Sequence, residues 1–246
     1  MEHRILVIIP VFNKARFLET YLPALHDLSC DILIIDDGST DYTYEVIRDH
    51  KWIQYIKHEL QLGLGASFTT GYEYARDLDY EYIIIFDHLN TKFSEEFDQF
   101  MENLSYGYDI INSSRILENY DYNEIPQEHI SITAEISEKL KVITTYDITD
   151  PLSGIKALRM ESLKNMELTE TTHGLFLQLW IQAHYFGLSI IEIPSLTGKG
   201  LGNELSLYSD PLGHFLTIME TEKYLYPDKH LHWELFIPFK DHILSY

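Results

Sequence analysis

The chain of 246 residues holds one cysteine, Cys30, and only 18 lysines and arginines against 39 aspartates and glutamates, a net charge of −21. A single cysteine excludes an internal disulfide framework and fits a reducing compartment. A surface so poor in cations repels phosphate backbones and anionic headgroups, which argues against nucleic-acid partners and polybasic membrane attachment. No run approaches the ~20 apolar residues that a transmembrane segment needs. The apolar stretch Ile5 to Phe12 contains Pro10 and leads into no small-residue cleavage site, so it reads as neither span nor signal peptide. Nucleotide-binding glycine loops are missing too. Gly63 and Gly65 would need a glycine at 68, where Phe68 stands, and Gly198-Lys199-Gly200 has no Ser or Thr after its lysine. These absences leave a cytoplasmic chain without repeats or a Pro/Ser linker.

What is present is a rhythm. Arg4 to Ile9, Asp31 to Asp36 and Glu81 to Asp87 are continuous β-branched or aliphatic runs, the pattern of strands buried on both faces. Trp52 to Ile56 and Asp109 to Asn112 are shorter strands. Between them lie apolar residues at helical spacing: Leu18, Leu22, Leu25; Leu64, Phe68, Tyr72, Ala75; Phe93, Phe97, Phe100, Leu104. Such alternation predicts an α/β fold of Rossmann-like type, a mostly parallel sheet with helices on both faces, in a single domain. After Arg115 come a polar, tyrosine-rich loop over 117–128, a helix around Ile132–Ile143, a turn at Asp150-Pro-Leu-Ser-Gly154, a helix over Leu175–Phe186 and a late strand over 188–193.

Ligands of open parallel sheets sit beyond the carboxyl ends of the strands. That rule selects Pro10 to Lys14, Asp36-Asp37-Gly38-Ser39, Gly63 to Ala66, Asp87-His88 and Ser113-Ser114-Arg115. Carboxylates there can accept from a base N–H or a ribose hydroxyl, and small residues let a ligand lie against the backbone.

Taken in order, Val7-Ile-Ile-Pro-Val-Phe-Asn13, Ile35-Asp-Asp-Gly-Ser-Thr-Asp41, Leu62-Gly-Leu-Gly-Ala-Ser67, Ser113-Ser-Arg115, Asp150-Pro-Leu-Ser-Gly-Ile-Lys-Ala157 and Gly187 to Pro194 resemble the family 2 inverting glycosyltransferases of GT-A fold. The likeness is nearest to their dolichol-phosphate or polyprenyl-phosphate mannose synthase branch. It implies a GT-A domain over 1–200, with 201–246 as an extension packed on it. It implies transfer of a sugar, with inversion, from a nucleotide-diphospho-sugar donor to a phosphate or hydroxyl acceptor, polyprenyl phosphate among them. Pro10, Phe12, Asp36, Asp37, Gly65, Ala66, Arg115 and Lys199 would hold the donor. Asp87 and Asp150 would be catalytic, with Asp87 also facing Mg²⁺ or Mn²⁺ on the diphosphate.

The sequence departs from the pattern in three places. The metal motif Asp-x-Asp reads Asp87-His88-Leu89, and Leu89 cannot ligate. Phe176 and Gln178 stand where the family carries carboxylates near metal or acceptor, and neither can take a proton. Lys14 replaces an acidic residue, and with Arg115 and Lys199 it could offset diphosphate charge in place of a metal. The alternative reading is a GT-A protein without turnover, binding a nucleotide sugar or a protein.

Overall fold

The computed structural model describes residues 3–87, 93–117, 127–196, 211–226 and 232. Strand and helix alternate through β1 (Ile5–Val11), α1 (Ala15–His26), β2 (Asp31–Asp36), α2 (Thr43–Ile47), β3 (Ile53–Lys57), α3 (Leu64–Asp77), β4 (Tyr82–Phe86), α4 (Phe93–Leu104) and β5 (Ile110–Ser114). The second half adds α5 (Gln127–Thr144), β6 (Ile155–Arg159), α6 (Met160–Leu163), α7 (Leu175–Tyr185), β7 (Ile190–Pro194) and α8 (Pro211–Leu225). Each strand except β6 lies within two residues of its sequence expectation. Most of the tyrosine-rich loop, residues 118–126, lies outside the described residues.

The seven strands form one sheet in the order β3-β2-β1-β4-β6-β5-β7. The β1–β2, β1–β4, β2–β3 and β5–β7 pairs are parallel, and β6 runs antiparallel to both β4 and β5. The sequence reading gave Ile155–Leu158 no strand of its own. The structure inserts it between β4 and β5, entering from the end where those strands leave: Ile155 faces Phe86, and Lys156 faces Asn112. This one reversed strand carries the Asp150–Gly154 turn to the carboxyl end of the sheet.

Side chains alternate across the sheet, so each buried strand feeds two cores. Leu6, Ile8, Leu33, Ile35, Ile83 and Ile85 meet α3, α5, α7 and α8 on one face. Ile5, Val7, Ile9, Ile32, Ile34 and Ile84 meet α1, α2 and α4 on the other. In α1 the stripe Leu18, Leu22, Leu25 points inward at helical spacing. Helix α8 seats Phe215, Ile218 and Met219 in the first core. Among the described residues no helix is long and apolar enough to cross a membrane.

Phe100 is fully buried, with its ring edge-on to Phe86 at 6.1 Å. Phe100→Ala should therefore lower unfolding free energy by ~3–5 kcal/mol in urea titrations. Leu60, 72% exposed, should tolerate Leu60→Ser within about 0.5 kcal/mol. A Phe100→Ala loss no larger than that of Leu60→Ser would contradict the assigned core.

Candidate active site

The loops after β1 and β2 are laced together by short polar side chains. Asn13 sits in the left-handed region (φ 53°), which asparagine tolerates. Its side-chain oxygen accepts the N–H groups of Thr40 (2.8 Å) and Asp41 (3.2 Å), and its own N–H donates to Ser39 Oγ at 2.8 Å. Asp41 accepts the Thr43 N–H at 3.0 Å and also the Ala15 N–H at 3.2 Å, which ties the starts of α1 and α2 to one carboxylate. Pro10 and Phe12 lie half-buried beside this junction.

Asp36 ends β2 wholly buried. It accepts the Ser39 N–H (2.7 Å) and the Tyr55 hydroxyl (2.6 Å), and the Lys57 ammonium lies 3.6 Å away. Burial pushes its pKa up, but the hydrogen bonds from Ser39 and Tyr55 outweigh it, and the carboxyl titrates below its ordinary value. Asp37 accepts the Leu62 N–H (2.9 Å) and His58 Nδ1 (2.8 Å) on one oxygen and the Gly63 N–H (2.8 Å) on the other. A carboxylate can only accept, so His58 Nδ1 carries a proton, while Nε2 meets Thr70 Oγ1 at 2.9 Å. The sequence reading assigns both carboxylates to base and ribose. In the structure every oxygen of the pair engages the protein's own groups: Asp36 holds the Ser39 turn and Tyr55, and Asp37 holds the turn at 62–63.

Gly65 and Ala66, expected against the donor, also meet the protein's own backbone. Their N–H groups both donate to Thr171 O, at 2.8 and 3.3 Å. A Cβ on Gly65 would overlap the Glu170 carbonyl oxygen, and one on Gly63 (φ 101°) would overlap that of Thr171. The close approach that these glycines permit is made by the segment ahead of α7.

The carboxyl ends of β4 and β5 meet the start of β6. Asp87 lies half-buried with its carboxylate against the Cα of Gly154, where no side chain would fit. Asp150 is fully buried and receives a two-pronged bond from Arg115, Nε at 2.6 Å and Nη2 at 2.9 Å, with the Arg115 N–H at 3.0 Å. Burial raises its pKa, but the Arg115 charge and hydrogen bonds prevail, so it titrates below the usual carboxylate range. A carboxylate held in this way is a poor base, and its contacts orient Arg115. Glu192 completes the clamp: it accepts from Asn112 Nδ2 (2.7 Å) and from the N–H of Thr149 (2.7 Å) and Asp150 (3.3 Å).

Sequence reasoning gave no role to Lys156, although an ionisable residue between Ile155 and Ala157 in an apolar run was a visible signal. It is fully buried, donates to Ser153 O, and lies 4.1 Å from the Phe176 ring centre and 5.3 Å from that of Trp180. Burial pulls its pKa down to about 7 against the attraction of Asp150 and Asp87. His173, also missed, is pushed down by burial while Asp87 opposes the shift. Phe176 thus packs under an ammonium, and Gln178 is buried in a polar cluster on α7. Lys14 is exposed, and His88, Leu89 and Lys199 lie outside the described residues.

These loops converge where nucleotide sugars bind in open sheets, and residues 6–166 match the family model described as glycosyl transferase family 2. The chain belongs to that family. It is 25% identical over 222 residues to a dolichol-phosphate mannosyltransferase of Pyrococcus furiosus, covering 87% of this chain and 62% of that protein. It is 23% identical over 178 residues to a UDP-N-acetylglucosamine–dolichyl-phosphate N-acetylglucosaminyltransferase of Methanococcus voltae, covering 65% of this chain and 71% of the relative. Among solved structures it resembles glucosyl-3-phosphoglycerate synthase of Mycobacterium tuberculosis in complex with Mn²⁺, UDP and glucosyl-3-phosphoglycerate. That likeness has a TM-score of 0.65 at 16% identity, over 89% of this chain and 80% of that one, and shows the GT-A fold. Family and fold together support a nucleotide-sugar-dependent glycosyltransferase.

The described residues alone do not supply a full ligand set for a divalent ion. Hard cations take six or more oxygens, and among the described residues no group of three His, Cys, Asp or Glu gathers as a ligand set.

Lys156 makes a pH prediction. Its folded pKa of about 7 lies below the ordinary 10.5, so between those values only the unfolded chain holds the proton, and stability rises with pH. Lys156→Met should remove that rise in urea titrations between pH ~7 and ~10. A slope equal to that of wild type would assign the window to other groups.

Proposed function

We propose that this protein transfers a sugar, with inversion, from a nucleotide-diphospho-sugar to a polyprenyl-phosphate-type acceptor in the cytoplasm. The observation that carries the reading is the meeting of Asp87, Arg115 and buried Lys156 at the carboxyl ends of β4 and β5, a carboxylate and two cations where a diphosphate would leave. Residues 1–200 are read as the GT-A unit, with 201–246 as an extension of the same domain.

An acceptor phosphate oxygen attacks the anomeric carbon from the face opposite the leaving group. The bond between that carbon and the diphosphate oxygen breaks, and its electron pair departs with the nucleoside diphosphate. Arg115, held by Asp150, and Lys156 beneath it stabilise the growing negative charge. Pro10 and Phe12 offer the half-buried surface for the base, while Asp36 and Asp37 shape the wall. Asp87 faces the diphosphate and the sugar, exposed Lys14 is an outer cation of the entrance, and Lys199 is read as a further donor-binding residue. A divalent ion, if required, would draw most of its ligands from the donor phosphates, and no step above depends on one.

Phe176 and Gln178 leave two expected carboxylate positions without a base. A hydroxyl acceptor needs one, whereas a phosphate acceptor is already an anion. The names of the archaeal relatives point the same way. A second reading, nucleotide-sugar binding without turnover, is favoured by the same substitutions together with Leu89.

The test is calorimetry with UDP and GDP, with and without Mn²⁺, followed by turnover on a polyprenyl phosphate. One nucleotide should bind, and sugar should appear on the lipid phosphate. Asp87→Asn should cut kcat ~10²–10³-fold, and Arg115→Lys, which keeps the charge but loses the fork, ~10-fold or more. Nucleotide binding without turnover on any lipid phosphate would select the second reading.

A further inference from the structure

Gln178 occupies a position where the family resemblance expects a carboxylate, and the fold brings a carboxylate to it from another helix. Glu222, on α8, is fully buried. One of its oxygens accepts from Gln178 Nε2 at 2.7 Å and the other from Gln182 Nε2 at 3.2 Å. Burial raises its pKa, and the two amide bonds act against that rise.

Both glutamines spend their remaining capacity on one stretch of backbone. Gln178 Oε1 accepts the N–H groups of Thr169 (2.9 Å) and Glu170 (2.8 Å). Gln182 Oε1 accepts the Glu167 N–H at 2.8 Å, and its Nε2 also reaches Glu167 O at 2.9 Å. His214, also on α8, adds an outer contact, with Nε2 3.0 Å from Thr172 Oγ1 and 3.4 Å from the Glu170 carboxylate. The segment held in this way continues into the glycine turn, where Thr171 O takes the N–H groups of Gly65 and Ala66. That turn is held from its other side by Asp37 through Leu62 and Gly63. Hydrogen bonds and the short backbone stretches between them therefore link α8 to the loop beside Asp36.

We propose that Gln178 and Glu222 are positioning residues of the donor site: through them α8 fixes segment 167–173, and with it the glycine turn opening α3 and His173 beside Asp87. The proposal rests on the reading that this end of the sheet takes a nucleotide sugar. Its chemistry is directional. A carboxylate accepts from two amides, which leaves each amide oxygen for backbone N–H groups. Gln178→Glu would set two carboxylates at bonding distance, so α8 and the segment would part. Glu222→Gln alone would leave one amide donor facing another. The double swap Gln178→Glu/Glu222→Gln restores complementarity, because a carboxylate at 178 accepts both backbone N–H groups and the amide from 222.

The full-length protein and these three variants would be compared by hydrogen exchange of segments 63–68 and 167–172 and by calorimetry with UDP and GDP. Gln178→Glu should speed exchange in both segments ~10-fold or more and weaken nucleotide binding ~10-fold, with the double swap returning both to within ~3-fold of wild type. If Gln178→Glu does not fold, Glu222→Gln carries the same comparison with a smaller effect. Unchanged exchange over 63–68 would overturn the proposal, as would a loosened segment with full nucleotide affinity. Wild type that binds neither nucleotide would count against the functional reading, while the exchange data would still decide whether α8 is coupled to the turn.

Discussion

At the carboxyl end of a mostly parallel sheet each strand passes into a loop, and the loop's N–H groups must find acceptors. A buried N–H left unsatisfied costs ~1–3 kcal/mol, and several would consume most of a domain's stability. This chain meets the demand with carboxylates. Asp36 serves Ser39, Asp37 serves Leu62 and Gly63, Asp150 serves Arg115, and Glu192 serves Thr149 and Asp150. Each of these acids accepts from backbone N–H groups at the edge where a ligand would bind. Gln178 and Gln182 do the same for the segment ahead of α7 without adding charge. Much of the acidity at this edge is thus structural.

Carboxylates gathered so closely need cations, and the chain has few. It places two of them inside: Arg115 against Asp150, and Lys156 under both Asp150 and Asp87. Two unit charges ~4 Å apart interact by ~4 kcal/mol at an effective dielectric near 20, enough to offset part of the desolvation of each partner. Burial still pulls the Lys156 pKa down to about 7, so the attraction only partly compensates. The aromatic faces of Phe176 and Trp180 supply the rest of its surroundings, which gives Phe176 a structural task at a position where a proton acceptor was sought.

The fold was legible in the sequence because its signals are periodic. β-Branched runs at 5–9, 32–35 and 82–86 and leucines at 18, 22 and 25 can hardly form anything but buried strands and an amphipathic helix. The reversed strand β6 escaped because a five-residue run with only three apolar residues, broken by Lys156 and ended by Arg159, does not look like a central strand, and only its neighbours make it one. For the site, the order of the motifs was readable and the duties of single residues were not. Asp36 and Asp37 show why: a carboxylate at a strand end carries the same letter whether it faces a ribose or a backbone amide. Gly65 shows the same ambiguity, since the permissive backbone that would admit a ligand here admits Glu170 and Thr171. Gln178 and Glu222 are separated by 44 positions and meet only once α7 and α8 are packed.

The way the carboxylates are spent bears on the acceptor proposed above. Asp36 and Asp150 titrate below their ordinary values, Asp36 through its hydrogen bonds from Ser39 and Tyr55 and Asp150 through the charge and hydrogen bonds of Arg115. A base must do the opposite and take up a proton near working pH. The site therefore has much negative charge and little basicity. A hydroxyl acceptor would forgo the ~10²–10⁴-fold that a positioned base contributes, whereas a phosphate forgoes nothing. Its cost is electrostatic, because it brings negative charge toward a donor diphosphate in a chain of net charge −21. On the proposed reading Arg115 and Lys156 lie where that cost arises. The same two cations that let the protein bury Asp150 thus set the local potential that an anionic acceptor would meet, and stability and acceptor choice draw on a single pair of charges.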